Sequence, residues 1–495
     1  MTNKYNSRII WFIILFTIFF TGFRMMQHYT FNNNALDDGF NDNLIWNTIH
    51  GKFMYSDIKG SSTLGDHLEL ATLLFIPFYL LGLGPFILFF GQTLLIGLGA
   101  LPIYWQARDS LGESPFVWLM PLAYLLYLPT VNITFQGYYP IALCITPLLF
   151  ATYYLLRGRY LPFLLWLGLA MLCQENIYLV AAFFGLYILG FKKEKLAGGL
   201  LFISGLALFI LAISVIIPHF NTGGSYVYYE RYAYLGNSLP AMVMTIAARP
   251  LYVLAHVITP EKIWFIVGLF LPVAFLSFRR PALLIPALPI FAINLLSSYR
   301  DMYQLGTRYP SAIVPFVFMT AILGLATVQP GEIRRMGRIK TTMFLFMVLS
   351  TLYFFAGFYW RYTVITEPVK EGHQLLRQVP ADAAISALGN LYPHLSHREK
   401  IWLFPKNWEK SDYLILCKLD PTWPIEGDYT TALTQLIKKK NYGKLLEYIF
   451  VGETPLPGPL SKTDYAPLYE KIRADRHFTM VTEKESYILL KRTRE

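Results

Sequence analysis

Residues Ile9 to Met25 form an apolar run broken only by Arg24, long enough to cross a bilayer core. Runs of this kind recur along the chain, and a chain built from them folds as a bundle of membrane-crossing helices, because lipid leaves backbone polar groups no partner outside the segment. Composition agrees. Hydrophobic residues make up 55% of the chain and charged residues 15%, against about 25% in soluble domains. The net charge of +11 is no sign of nucleic acid, because the basic residues sit in short clusters between apolar runs. Cys144, Cys173 and Cys417 are dispersed and lack metal or disulfide spacing.

After the first run, Leu68 to Leu83 is apolar but carries Glu69 and Pro77, and reads as a juxtamembrane or re-entrant piece. Spans are expected at Pro85–Trp105, Phe116–Ile133, Ile141–Leu156, Leu161–Cys173, Ile177–Gly190, Leu196–Ile217, Ile263–Phe278, Ala282–Leu296, Ala312–Val328 and Met343–Phe358, about eleven with the first. Alternate connections carry Arg108, then Arg157 and Arg159, then Lys192, Lys193 and Lys195, then Arg279 and Arg280, then Arg334, Arg335, Arg338 and Lys340. All fall on the side of Lys4 and Arg8. The rule that positive loops stay inside then predicts a multi-pass protein of the cytoplasmic membrane, with its N-terminus inside and its C-terminal segment outside. The first run has no small-residue cleavage site and reads as a retained anchor.

The outer connections hold the polar residues that suggest chemistry. Asp37, Asp38 and Asp42 follow the first run, with Gly39 expected to turn the chain. Clustered carboxylates at a membrane surface can deprotonate a hydroxyl or hold a cation, and the plain alternative is a solvated loop. Asp66-His67 either orients an acceptor, joins the carboxylates around a metal, or caps the next helix. Glu175, within Gln174-Glu175-Asn176, is costly near lipid unless it is paired or lines a wet cavity; the alternative is a tight surface turn. Arg231, Arg249, Arg300 and Arg308 lie outside, against the inside-positive bias, and a guanidinium fork suits a lipid phosphate. Some of these would meet only headgroups. The connection His219–Lys262, Tyr-rich from Tyr226 to Tyr234, is long enough to suggest a functional loop.

From about Arg361 the pattern changes. Val364–Val379, Tyr429–Lys439 and Tyr465–Ala474 read as helices. Ala383–Leu388, Lys400–Phe404 and Tyr413–Leu419 read as buried strands, and Phe478–Val481 with Ser486–Lys491 as a closing hairpin. The expected organisation is a membrane domain over residues 1–360, with its first outer loop at 28–70, and an extracytoplasmic α/β domain over 361–495 acting as a structural or substrate-guiding cap.

Leu36-Asp37-Asp38-Gly39-Phe40-Asn41-Asp42-Asn43, followed by Ile45-Trp46, resembles the Phe-Asp-Leu-Gly-x-x-Asp-Gln…Trp signature of an uncharacterised bacterial and archaeal membrane family similar to GT-C glycosyltransferases. The resemblance continues through Gly65-Asp66-His67, Pro77-Phe78-Tyr79, Gln92, Pro102-Ile103-Tyr104, Gln174-Glu175-Asn176, Arg308-Tyr309-Pro310, Pro315-Phe316, the stretch Leu391-Tyr392-Pro393-His394-Leu395-Ser396-His397-Arg398, and Phe404-Pro405. In that register Asp37 and Asp42 take the positions of the two signature aspartates, and Asp38 stands where the family tends to have leucine. Gln136 stands where the family tends to have histidine, and since it cannot titrate it argues against a proton or metal role there.

The resemblance implies a GT-C-like, all-α polytopic bundle that moves a sugar from a polyprenyl-phosphate-linked donor to an acceptor on the extracytoplasmic side. It implies inversion at the sugar, with a first-loop aspartate as base. Asp37, Asp38 and Asp42 are then the catalytic candidates, and His67, Glu175, Arg231, Arg300 and Arg308 the substrate-binding ones. Asp37, Asp42 and His67 are the candidate ligands for a divalent cation such as Mg or Mn. Asp37, Asp42, His67 and Glu175 are expected to share one outer cavity. The competing readings are a transporter or lipid flippase, a transferase of another lipid-linked group such as phosphoglycerol or aminoacyl, and a non-catalytic scaffold.

Overall fold

The computed structural model describes residues 2–33, 35–221, 223–224, 226–328, 333–356, 363–418 and 462–493. The expected helix Tyr429–Lys439 lies outside the described residues. The chain packs as two compact units. One comprises residues 1–21, 61–75 and 88–352, and the other 22–60, 76–87 and 353–495. The first loop as far as residue 60 thus belongs to the same unit as the C-terminal segment, a division different from a cut near residue 360.

In the first unit the helix Val314–Leu325 is buried along its whole length except at Leu323, and it packs against Ile145–Leu156 and Ala100–Leu111. An uninterrupted apolar sequence is what such an all-round buried helix requires. Asn176–Phe191 and Lys195–Leu211 form a close antiparallel pair whose seam is made of glycines. A Cβ on Gly185 would stand 2.4 Å from the backbone nitrogen of Phe202, and one on Gly205 would stand 2.6 Å from the nitrogen of Ala182. Small residues let helix backbones approach where lipid supplies no hydrophobic drive. Gly205→Val is therefore expected to lower stability by about 1–3 kcal/mol or more, read as a fall in melting temperature in detergent. Gly199→Ala, whose nearest neighbour would be Leu189 at 4.0 Å, is the control expected to change little.

About eleven continuous spans are not confirmed. Among the described residues, four helices, Arg8–Tyr29, Gly84–Leu111, Phe116–Gln136 and Lys195–Phe220, are long and apolar enough to cross a membrane, and a bent pair brings the number to five. Leu70–Leu80, Pro140–Leu156, Tyr160–Met171, Asn176–Phe191, Pro281–Leu296 and Val314–Leu325 are apolar helices of 10–17 residues. Proline shortens several of them, since Pro281, Pro286 and Pro289, for example, remove backbone donors from one segment. The connection His219–Lys262 is also not all loop. Leu239–Ala248 and Pro250–Val257 are apolar helices that meet at Arg249 with a bend of 101°.

The second unit contains a mixed five-stranded sheet. Its strands are β1 (Ile385–Ala387), β2 (Ile401–Leu403), β3 (Tyr413–Cys417), β4 (Phe478–Glu483) and β5 (Tyr487–Arg492), in the order β2-β1-β3-β5-β4. β1 runs parallel to β2 and β3, while β5 is antiparallel to β3 and β4. The helices Glu367–Leu376 and Lys462–Arg473 complete the α/β pattern read from the sequence. Phe31 and Ala35 of the first loop are buried in the same apolar core as Leu375, Ile385, Leu414 and Leu489. Phe31 alone contributes about 1.5–3 kcal/mol by leaving water, so the loop is folded into the sheet's core rather than hanging from it.

Candidate active site

Within the second unit, the first loop is helical. Ala35–Gly39 makes one wide turn that runs into the helix Phe40–Ile49, with Gly39 in a right-handed helical conformation rather than at a chain reversal. A Cβ on Gly39 would meet the ring of Tyr392 at 2.8 Å, so glycine serves a close approach here. The winding turns Asp38 and Asp42 inward, where both are buried, and leaves Asp37 half-buried. Asn41 ties the turn by donating its side-chain N–H to the Asp37 carbonyl at 2.8 Å.

Asp38 is ion-paired with Arg24, whose Nη2 lies 2.6 Å from both carboxylate oxygens, and both side chains are buried. Arg24 also donates through Nη1 to Gln27 at 2.8 Å. The charge that interrupts the first apolar run is thus neutralised, as a buried charge requires.

Asp42 is the centre of a second network. Its carboxylate accepts from the Tyr79 hydroxyl at 2.6 Å, from His397 Nε2 at 2.9 Å, and from the Ser396 hydroxyl. Asn43 extends it by donating to the Ser396 carbonyl at 2.9 Å and to Asp57 at 3.1 Å. Tyr79, Ser396 and His397 were not among the candidates read from the sequence, although each lies in a stretch that carries the family resemblance. Burial pushes the Asp42 carboxyl up, but the charge of His397 and the three hydrogen bonds outweigh it and hold the group below the usual carboxylate range. Burial alone would lower His397, and the Asp42 carboxylate outweighs that, leaving the imidazole above its ordinary value.

The sign of the pH dependence follows from these two directions. A carboxyl held low stabilises the fold above its ordinary pKa and loses that contribution as pH falls through the folded value. An imidazole held high stabilises below its ordinary pKa and loses its part as pH rises through the folded value. The pair is therefore strongest between about pH 4 and pH 6.5. The melting-temperature difference between the wild type and His397→Gln should peak in that window and shrink on both sides. His397 is 41% exposed, so the gain is modest. A difference independent of pH would show that the pair does not titrate in this way.

Within the first unit lies a separate polar cluster. Glu175 is fully buried, and its Oε1 accepts from His67 Nδ1 at 2.7 Å and from the Tyr226 hydroxyl at 3.3 Å, while Oε2 accepts the Leu68 N–H at 3.1 Å. Burial would lower His67, but Glu175 outweighs it and raises the imidazole above its ordinary value. The ring of His67 stacks on Tyr228 at 4.6 Å, and the Tyr228 hydroxyl donates to Asp66. Arg231 lies over Tyr228 at 4.1 Å and donates to the Tyr309 hydroxyl at 3.2 Å, and Arg308 lies 5.2 Å over the ring of the same tyrosine. Arg308 also covers Tyr139 at 5.0 Å. Arg300 is exposed at the start of the turn Arg300–Tyr303, as is Arg249 at the helix bend.

The candidates thus fall into two sets. Asp37, Asp38 and Asp42 are in one unit, while His67, Glu175, Arg231, Arg300 and Arg308 are in the other. Of the latter, His67 meets Glu175, and Arg231 and Arg308 meet at Tyr309. Among the described residues, no group of three or more His, Cys, Asp or Glu side chains is arranged to hold a metal ion.

The family model described as "Predicted membrane protein (DUF2079)" matches residues 27–447. No curated protein matches the sequence. Among solved structures, ArnT from Cupriavidus metallidurans bound to undecaprenyl phosphate is 13% identical, with a TM-score of 0.55 over 99% of this chain and 98% of that one. The apo state of the same protein is 13% identical, with a TM-score of 0.46 over 96% and 97%. The likeness to the bound form gives this chain an ArnT-like fold, in keeping with the GT-C-like bundle expected from the sequence.

Proposed function

We propose that this chain, which belongs to the DUF2079 family of predicted membrane proteins, transfers a sugar from a polyprenyl-phosphate-linked donor to an acceptor at the extracytoplasmic face of the membrane. The observation that carries this reading is the division of labour in the first loop. Asp38 is buried and committed to Arg24, and Asp42 is buried and committed to three donors, whereas Asp37, in the same turn, is only half-buried. A general base needs access to the proton it takes as well as a basic oxygen. Asp42, buried and held low, is poorly suited to that role and well suited to fixing the loop.

On this reading the acceptor hydroxyl gives its proton to Asp37 as its oxygen bonds to the anomeric carbon. The bond from that carbon to the phosphate oxygen breaks, and polyprenyl phosphate departs with the electron pair. A single carboxylate acting in one displacement inverts the sugar carbon. The fold shared with a structure solved with undecaprenyl phosphate bound supports the donor class by analogy.

Arg308, or failing it Arg231 or Arg300, contacts the donor phosphate. A guanidinium held between tyrosine rings keeps its fork oriented for a phosphate. The test is to incubate purified protein with labelled polyprenyl-phosphate sugars and follow label into an acceptor extract. Wild-type protein should transfer label, and Arg308→Lys, which keeps the charge and loses the fork, should bind donor about tenfold more weakly. Transfer of a phosphoglycerol or aminoacyl group in place of a sugar would assign another lipid-linked substrate. Unchanged donor binding in alanine variants of all three arginines would remove them from the phosphate site.

A further inference from the structure

The ends of three helices in the first unit border an open surface hollow apart from the candidate active site. Ala100–Leu111 and Ile145–Leu156 end there, and Tyr160–Met171 begins there, around a space of about 380 Å³. Arg108, Arg157 and Arg159 line it with a single carboxylate, Asp109, giving three positive charges against one negative. Trp105, Tyr153 and Tyr154 supply an aromatic wall.

Cations at helix C-termini are favourable in themselves, and arginines at this end also fit the inside-positive rule. Neither effect calls for a hollow or for orientation of the side chains. Here Arg157 is ion-paired with Asp109 and stacked 4.6 Å over the ring of Tyr153, whose hydroxyl lies 3.4 Å from the same carboxylate oxygen. The carboxylate therefore orients one guanidinium and cannot balance all three. Arg108 and Arg159 are exposed on the rim.

We propose that this hollow binds the phosphate of an anionic lipid headgroup of the phosphatidylglycerol class. The Lys/Arg distribution places these helix ends on the cytoplasmic side, where anionic lipid attracts basic clusters. Guanidinium forks match phosphate oxygens, and indole and phenol rings suit the headgroup level of a bilayer. A space of this size admits a phosphoglycerol headgroup while the acyl chains remain in the bilayer.

Native mass spectrometry of the full-length protein in detergent tests this with phosphatidylglycerol, phosphatidylcholine and inorganic phosphate as separate probes. Wild-type protein should retain one phosphatidylglycerol about tenfold more tightly than phosphatidylcholine, and Arg108→Gln/Arg159→Gln should lose that preference. The melting temperature of the lipid-free variant should match the wild type, because both side chains are exposed. Should that variant not fold, Arg108→Lys/Arg159→Lys decides, with retention expected to fall about tenfold although charge is kept. Equal retention of the two lipids, or a variant that keeps phosphatidylglycerol like the wild type, would overturn the proposal. Binding of inorganic phosphate as tightly as phosphatidylglycerol would overturn the lipid assignment in favour of a soluble anion.

Discussion

Asp37→Asn is expected to reduce turnover about 10²–10⁴-fold with a labelled polyprenyl-phosphate donor, at an unchanged melting temperature. The side chain is half-buried and lies on the turn Ala35–Gly39, so the amide replaces the carboxylate without opening the core. The loss should appear in kcat and leave donor affinity nearly intact, because a base acts on the acceptor. Asp42→Asn makes the informative contrast. It removes the acceptor for Tyr79, Ser396 and His397, so its effect on activity should come with a lowered melting temperature. If Asp37→Asn retains full turnover while Asp42→Asn abolishes it without loss of stability, the roles assigned to the two aspartates are exchanged.

The largest effect on stability is expected at Arg24. Arg24→Leu leaves Asp38 buried and charged with its principal partner gone, a change that typically costs about 3–5 kcal/mol. The double variant Arg24→Leu/Asp38→Leu, which removes both charges, should recover most of that loss, since a buried ion pair often contributes little net stability over an apolar pair. Melting temperatures of wild type, both single variants and the double variant give the coupling directly. Additive losses would show that the pair does not act as a unit.

How much of this was legible in the sequence depends on the distance over which each feature is made. The strands around Ile385, Ile401 and Tyr413 and the closing hairpin were readable because short apolar runs flanked by turn residues carry their own signal. The helices on either side of Arg249 carry no sequence signal of a span, because each is only 8–10 residues long. Glu175 and His67 were identified singly, from the cost of a carboxylate near lipid and from position. Their pairing joins residues 108 apart and has no local trace. The same holds for Asp42, whose partners Ser396 and His397 lie 354 and 355 residues away. The first loop was expected to belong with the membrane helices because it follows one of them in sequence. Its burial of Phe31 and Ala35 in the sheet's core is a tertiary fact that periodicity does not encode.

The pairing of Arg24 with Asp38 also bears on how the chain is made. During synthesis the first helix enters the bilayer with a guanidinium near its end, at a cost of about 2.5–3.5 kcal/mol or less depending on depth. The neutralising carboxylate comes fourteen residues later and is reached only when the turn Ala35–Gly39 has wound. Until then the arginine favours the water boundary, so the depth of this helix is settled after insertion, when its own loop folds back on it. Slow or failed winding of that turn would leave the guanidinium without this carboxylate and the helix seated shallower in the membrane.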